Sequence, residues 1–217
     1  VSLRRRILRY NMPVAAAMPA VSATMPARTA VISSVRLRSG RSGVSSDTGM
    51  GRSSSLNDRR ASMNSLRIEG QKTIMIELLH QLGWSAPDWV LVPGGNLGNS
   101  SSFGKAFAEM KKCGFIDTAP RIGIIQAQGA NPLYRSFADG DHTLSPVHAD
   151  TRATAIKIGN PVSFDKSWFA VESTGGVVEE VTEDQIAQAK SFIGRDWIGS
   201  EPASATTVAG CKKLVQR

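Results

Sequence analysis

Trp89-Val90-Leu91-Val92 runs into Pro93-Gly94-Gly95-Asn96-Leu97-Gly98-Asn99, and a helix-like stretch from Ser100 to Cys113 follows. A short apolar run bounded by turn residues reads as a buried strand of the parallel kind. The order is therefore strand, glycine-rich turn, helix. That order gathers successive backbone N–H groups and the positive end of a helix dipole at one spot, which suits an anion, and a phosphate above all. Gly94, Gly95 and Gly98 are expected to allow close backbone approach and positive φ. Asn96 and Asn99 tolerate left-handed backbone and add side-chain donors. A plain tight turn is the competing reading. The spacing matches neither the Walker loop, which needs Gly-Lys-Ser/Thr, nor the G-x-G-x-x-G dinucleotide fingerprint.

Working outward, Ile74, Leu78, Leu79 and Leu82 recur at helical spacing across Gln71 to Leu82. Arg121 to Ala127, with Ile122, Ile124 and Ile125, reads as a second strand. Asn131 to Phe137 reads as a short helix and Asp139 to Pro146 as a loop. Gly175-Gly176 precedes a third strand, Val177 to Val181. Thr182-Glu183-Asp184-Gln185 is a capping box that opens a helix with Ile186, Ala189 and Ile193 on its apolar face. Pro202 suits the start of a last helix running toward Val215. Strands alternating with helices predict an α/β fold with a parallel sheet.

The net charge is +8, and its distribution is uneven. Residues 1–60 hold eleven Arg, no Lys and two acids, Asp47 and Asp58, with Tyr10 as the lone aromatic. Residues 61–217 hold fifteen Lys plus Arg against sixteen acids, as on a soluble enzyme. The first segment is expected to have little fixed structure, because it cannot bury enough apolar surface to offset its ordering entropy. An organelle leader, a nucleic-acid arm and non-native sequence from a shifted reading frame all fit it. The arm lacks the interleaved aromatics that stack bases. Residues 61–217 form the expected globular part.

Two cysteines, Cys113 and Cys211, are too few for a disulfide framework and read as buried thiols. His80, His142 and His148 lack metal-ligand spacing. Lys111-Lys112 and Lys212-Lys213 read as solvated helix faces. No apolar run reaches membrane-spanning length.

Six ordered blocks resemble threonine synthase, a fold-type-II pyridoxal-phosphate enzyme family. The first is Asn64 to Thr73, and the second is Pro93 to Asn99. Then come Gln126-Ala127 with Ala130 to Leu133, and Ala153 to Ser163. The last two are Glu172 to Val177 and Glu201 to Ala205. The resemblance covers about residues 62–217. It implies part of the three-layer α/β/α architecture of the tryptophan synthase β-subunit, with an N-terminal half missing. It implies pyridoxal 5'-phosphate as cofactor, its phosphate cradled by Gly95, Asn96, Leu97, Gly98 and Asn99. Ser62 and Arg67 match positions that hold the phosphate of O-phospho-L-homoserine. Ala61 departs from the family's usual Asn there. Glu201 to Ser204 resembles a stretch near the cofactor ring, and Ser200 stands where Cys is common, with no role assigned to it.

The family's lysine that bonds the cofactor aldehyde lies in a Ser-Phe-Lys-Asp block, which is absent here, so no catalytic residue is assigned. Asp165-Lys166-Ser167 and Gly104-Lys105 have different surroundings. The Ser-Gly-Asn-Thr loop and the C-terminal Thr-Gly-His-Gly block are also absent. The expectation is an incomplete, inactive and marginally stable part of an enzyme that makes L-threonine and phosphate from O-phospho-L-homoserine and water. Apolar edges and faces of its sheet are expected to be uncovered. A fold-type-II amino-acid dehydratase and a basic-armed nucleic-acid binder are the alternatives. The expected partner is the small substrate, with neither nucleic acid nor membrane. The expected compartment is the cytoplasm, or a plastid if residues 1–60 are a transit peptide.

Overall fold

The computed structural model describes residues 29–31 and 65–216. Four parallel strands form one sheet in the order β1-β2-β3-β4. They are β1 (Thr29–Val31), β2 (Trp89–Pro93), β3 (Arg121–Ala127) and β4 (Val177–Val181). Among the described residues six helices accompany them: α1 (Ser65–Gln81), α2 (Gly98–Lys112), α3 (Pro132–Asp139), α4 (Phe164–Thr174), α5 (Glu183–Gly194) and α6 (Pro202–Val215). A single 3-10 turn spans Thr154–Ile156. The fold is α/β with a parallel sheet.

Side-chain alternation along β3 divides the core in two. Ile122 and Ile124 join Phe103, Phe107, Trp168 and Val171 from α2 and α4. Ile125 and Ala127 join Ile186, Ile193, Ala205 and Val208 from α5 and α6. Helices thus cover both faces of the sheet, contrary to the expectation of uncovered faces. The reason is α6, whose residues 203–211 are all buried. Its small side chains let it lie close to the sheet: a Cβ on Gly210 would fall 2.5 Å from the Ile125 side chain. Thr206 and Thr207 satisfy their buried hydroxyls on the carbonyls of Pro202 and Ser204.

β1 corrects the reading of residues 1–60 at one point. Thr29, Ala30 and Val31 pair in parallel with Trp89, Val90 and Leu91. A sheet edge offers unpaired N–H and C=O groups, and three extended residues can meet them without a hydrophobic face of their own. The rest of that segment lies outside the described residues. Among the described residues no helix is long and apolar enough to cross a membrane.

α4 is a helix that the sequence reading does not include. Its signals are present: Phe164, Trp168 and Val171 stand at i, i+4 and i+7, and Gly175 ends the helix at φ 59°. α4 crosses α2 very closely. A Cβ on Gly104 would lie 2.4 Å from Ala170 Cβ and 3.0 Å from its Cα. Gly104→Val is expected to overpack this crossing, at a cost of about 1–3 kcal/mol. A thermal melt checks it; a midpoint unchanged from wild type would mean that the two helices do not meet this tightly.

Candidate functional site

β2 ends at Pro93, and the chain reaches α2 through Gly94 to Leu97. The Gly94 N–H donates to Ile125 O at 2.7 Å, which ties the turn to β3. Gly95 has little space above it: a Cβ there would lie 3.1 Å from Ile156 Cα and 3.2 Å from Ala155 O. Close approach is therefore what Gly95 provides. Positive φ is not. The left-handed residue is Leu97, at φ 64° and ψ 14°, whereas Gly94, Gly95 and Gly98 keep negative or extended φ. The strand-to-helix turn needs one such residue immediately before the helix. Leu97 accepts the strain of about 1–2 kcal/mol because its side chain is buried in the core beneath α2.

Three anchors hold this loop from behind. Asn96 Oδ1 accepts from the Val162 N–H at 2.9 Å, and Asn96 O accepts from the Ser163 N–H at 3.3 Å. Leu97 O accepts from Ser167 Oγ at 2.8 Å and from the Ser101 N–H at 3.2 Å, and Ser100 Oγ stands 3.1 Å away. Asn99 Oδ1 accepts from Gln71 Nε2 at 2.7 Å. The two asparagines therefore spend their side-chain oxygens on the scaffold. Gln71, Val162, Ser163 and Ser167 are supports that sequence reasoning misses. They lie 28 to 70 residues from their partners, and no local pattern signals such a contact.

In front of the loop lies a cavity of about 210 Å³. Gly95, Asn96, Leu97, Gly98 and Asn99 line it together with Arg67, Ala155, Ile156, Ile158 and Ala203. The predicted loop and the predicted guanidinium thus share one hollow. Ser62 lies outside the described residues. Among the described residues, the amides of Gly95, Leu97, Gly98 and Asn99 have no protein acceptor. For Gly98 and Asn99 this follows from their position in the first turn of α2. The dipole of a 15-residue helix adds positive potential at the same end. Bare amides, a helix N-terminus and a guanidinium in one hollow suit a phosphate monoester.

No lysine lines that cavity among the described residues. Lys105 pairs with Glu69 and Glu109 on the outer face of α2, and Lys166 is exposed. Lys213 is not a solvated helix face: it reaches the buried Glu179 carboxylate at 2.9 Å. Cys113 is exposed, contrary to expectation, because it follows the last turn of α2 at the surface. Cys211 is buried, and burial pushes its thiol up. His142 stacks on Trp168 at 4.7 Å. Among the described residues no group of three His, Cys, Asp or Glu could hold a metal.

Arg67 reaches the cavity from α1, which docks on α2 through Met75 and Leu79 and an ion-pair seam. Lys72 bridges Glu69 and Glu109, each at 2.5 Å, and Lys105 also bonds Glu69. Lys105, then Lys72, hold the Glu69 carboxyl below its usual 4.5. Glu109, then Glu69, hold the Lys72 ammonium above its usual 10.5. The Glu69 contribution is complete above 4.5 and fades as pH falls through its lowered value. The Lys72 contribution is complete below 10.5 and fades as pH rises through its raised value. Glu69→Gln is expected to melt below wild type at neutral pH, and the gap is expected to close as the pH falls past 4.5. Melts across pH measure it; a gap that persists in acid would show that the carboxylate charge is not the cause.

A family model described as pyridoxal-phosphate dependent enzyme matches residues 54–217. Threonine synthase of Methanocaldococcus jannaschii is 45% identical over 157 residues, which are 71% of this chain and 39% of that protein. Threonine synthase 2, chloroplastic, of Arabidopsis thaliana is 48% identical over 155 residues, covering 70% of this chain and 30% of that one. The chain thus spans less than two fifths of the length of these relatives. Among solved structures, threonine synthase from Escherichia coli superposes with a TM-score of 0.58 at 17% identity, over 71% of this chain and 36% of that one. A threonine deaminase from T.th. gives the same TM-score at 23% identity, over 71% and 54%. At these identities the two structures speak for the fold alone.

Proposed function

This chain belongs to the pyridoxal-phosphate dependent enzyme family, and we propose that it furnishes the phosphate-binding part of a threonine synthase. The reaction is conversion of O-phospho-L-homoserine and water to L-threonine and phosphate. One observation carries the reading: Arg67 and the loop Gly95 to Asn99 line the same cavity. Sequence likeness to threonine synthases supports it.

The residues present fit the family's cofactor. The cavity in front of the loop and the amides that line it suit a phosphate dianion in size and charge. Gly95, Leu97, Gly98 and Asn99 would donate main-chain N–H groups to it. When bound, pyridoxal phosphate supplies an electron sink for chemistry at the α and β carbons of the amino acid. Ile156, Ile158 and Ala203 add apolar surface to the lining. Arg67 is exposed at the mouth, and its guanidinium can pair two oxygens of a second phosphate, that of the substrate. Ser62 is assigned to the same phosphate by resemblance. A dehydratase of this fold has no second phosphate to hold, so Arg67 favours the synthase.

Two measurements test the reading. Equilibrium dialysis of the whole chain is expected to find pyridoxine 5'-phosphate bound at least roughly tenfold tighter than pyridoxine, as several charge-assisted hydrogen bonds predict. Both ligands lack an aldehyde, so surface lysines cannot react with them. Equal affinities would remove the cradle. Arg67→Ala is expected to lose most of the preference for O-phospho-L-homoserine over L-homoserine; a retained preference would point to the dehydratase. This 217-residue chain with pyridoxal phosphate and O-phospho-L-homoserine is expected to release no threonine, because no lysine lines the cavity among the described residues. Amino-acid analysis that detected threonine would refute that.

A further inference from the structure

We propose that Ser167, together with Ser100, is a positioning residue that aims the Gly98 amide into the phosphate cradle. The inference rests on the cradle reading above and goes beyond it, since Ser167 lies on α4 and is not among the residues lining the cavity.

The carbonyl of Leu97 and the N–H of Gly98 belong to one rigid trans unit and point in opposite directions. Whatever holds the carbonyl therefore directs the amide. Gly98 lines the cavity, so its side of that plane is the ligand side. On the other side, three groups stand within hydrogen-bond distance of Leu97 O: Ser167 Oγ, Ser100 Oγ and the Ser101 N–H. Only the last belongs to regular helix geometry.

Proton bookkeeping orders the two hydroxyls. Each carries a single proton. Ser100 Oγ and Ser167 Oγ are 2.7 Å apart. The arrangement that satisfies every short contact has Ser100 donating to Ser167, and Ser167 donating to Leu97 O at 2.8 Å. Ser167 is then the donor nearest the carbonyl, and Ser100 polarises it. Ser167 is 0% exposed and Ser100 is 1% exposed, so water cannot replace either hydroxyl.

The strain at Leu97 gives this network a task. A leucine at φ 64° prefers to leave the left-handed region. Leaving it would rotate the Leu97–Gly98 peptide and turn the Gly98 N–H away from the hollow. The serine pair opposes that rotation directly. The anchors on Asn96 and Asn99 act one peptide unit to either side and leave this plane free to turn.

The test is the ratio of the pyridoxine dissociation constant to that of pyridoxine 5'-phosphate, measured on the whole chain. Ser167→Ala is expected to lower this ratio roughly three- to tenfold, the worth of one well-placed hydrogen bond. The loss is expected entirely in the phosphorylated ligand, with pyridoxine unchanged. A general loosening of the fold would weaken both ligands alike and would overturn the proposal, as would an unchanged ratio. If Ser167→Ala shows no cooperative melt, Ser100→Ala decides in its place, with a smaller drop of the same kind expected and an unchanged ratio overturning the proposal. A wild-type ratio near one would overturn the cradle and this inference together, whereas a high wild-type ratio kept by the variant would overturn this inference alone.

Discussion

The turn between β2 and α2 must meet two demands that pull against each other. It has to convert a strand into a helix within a few residues, and it has to leave several amides without acceptors among the described residues. A chain left to itself would relieve both by relaxing the left-handed Leu97 and letting the amides find acceptors. The surroundings prevent this from the rear. Asn96 is held by the start of α4, Leu97 by serine hydroxyls and Asn99 by Gln71 of α1. All three anchors bind oxygens. The donors are consequently left for the front.

This division explains the roles of the flanking helices. α4 brings Ser163 and Ser167 behind the loop, and it can do so only because Gly104 lets it sit against α2. α1 brings Gln71 behind the loop and Arg67 to its mouth, and its place on α2 depends on Met75, Leu79 and the Lys72 seam. Neither helix contributes a strand connection at the loop itself. Both are scaffolds for one four-residue turn.

The sequence made the front of this arrangement legible and hid the back. β3, β4 and the capping box at Thr182 follow from local patterns, and the structure shows them with the same bounds. The loop Gly95 to Asn99 was recognisable from local pattern and Arg67 only through the family resemblance; the two line one cavity. The supports were not, because a hydrogen bond between Ser167 and Leu97 spans 70 residues and leaves no trace in spacing. Helix α4 is a different kind of omission. Its apolar spacing and terminal Gly175 were readable, but three aromatic residues among Phe164 to Phe169 obscure a helical face that Ser167 interrupts. β1 was hidden for a third reason. Three residues that complete a sheet edge need no pattern at all, so a compositional argument about cores does not reach them.

Charge supplies the last step. The excess of +8 lies wholly in residues 1–60, and the globular part is near neutral. Exposed charges more than about 8 Å apart are largely screened at physiological ionic strength. The cavity therefore has no broad positive field from residues 61–217 to draw an anion in. Among the described residues, what it has is local: a few main-chain dipoles, one helix end and one guanidinium. Dipoles of this kind act only at short range and only when aimed. A site that relies on them needs its backbone fixed in advance more than it needs added charge. That requirement accounts for buried serine hydroxyls behind the loop, where additional lysines in front of it would have served a less ordered site.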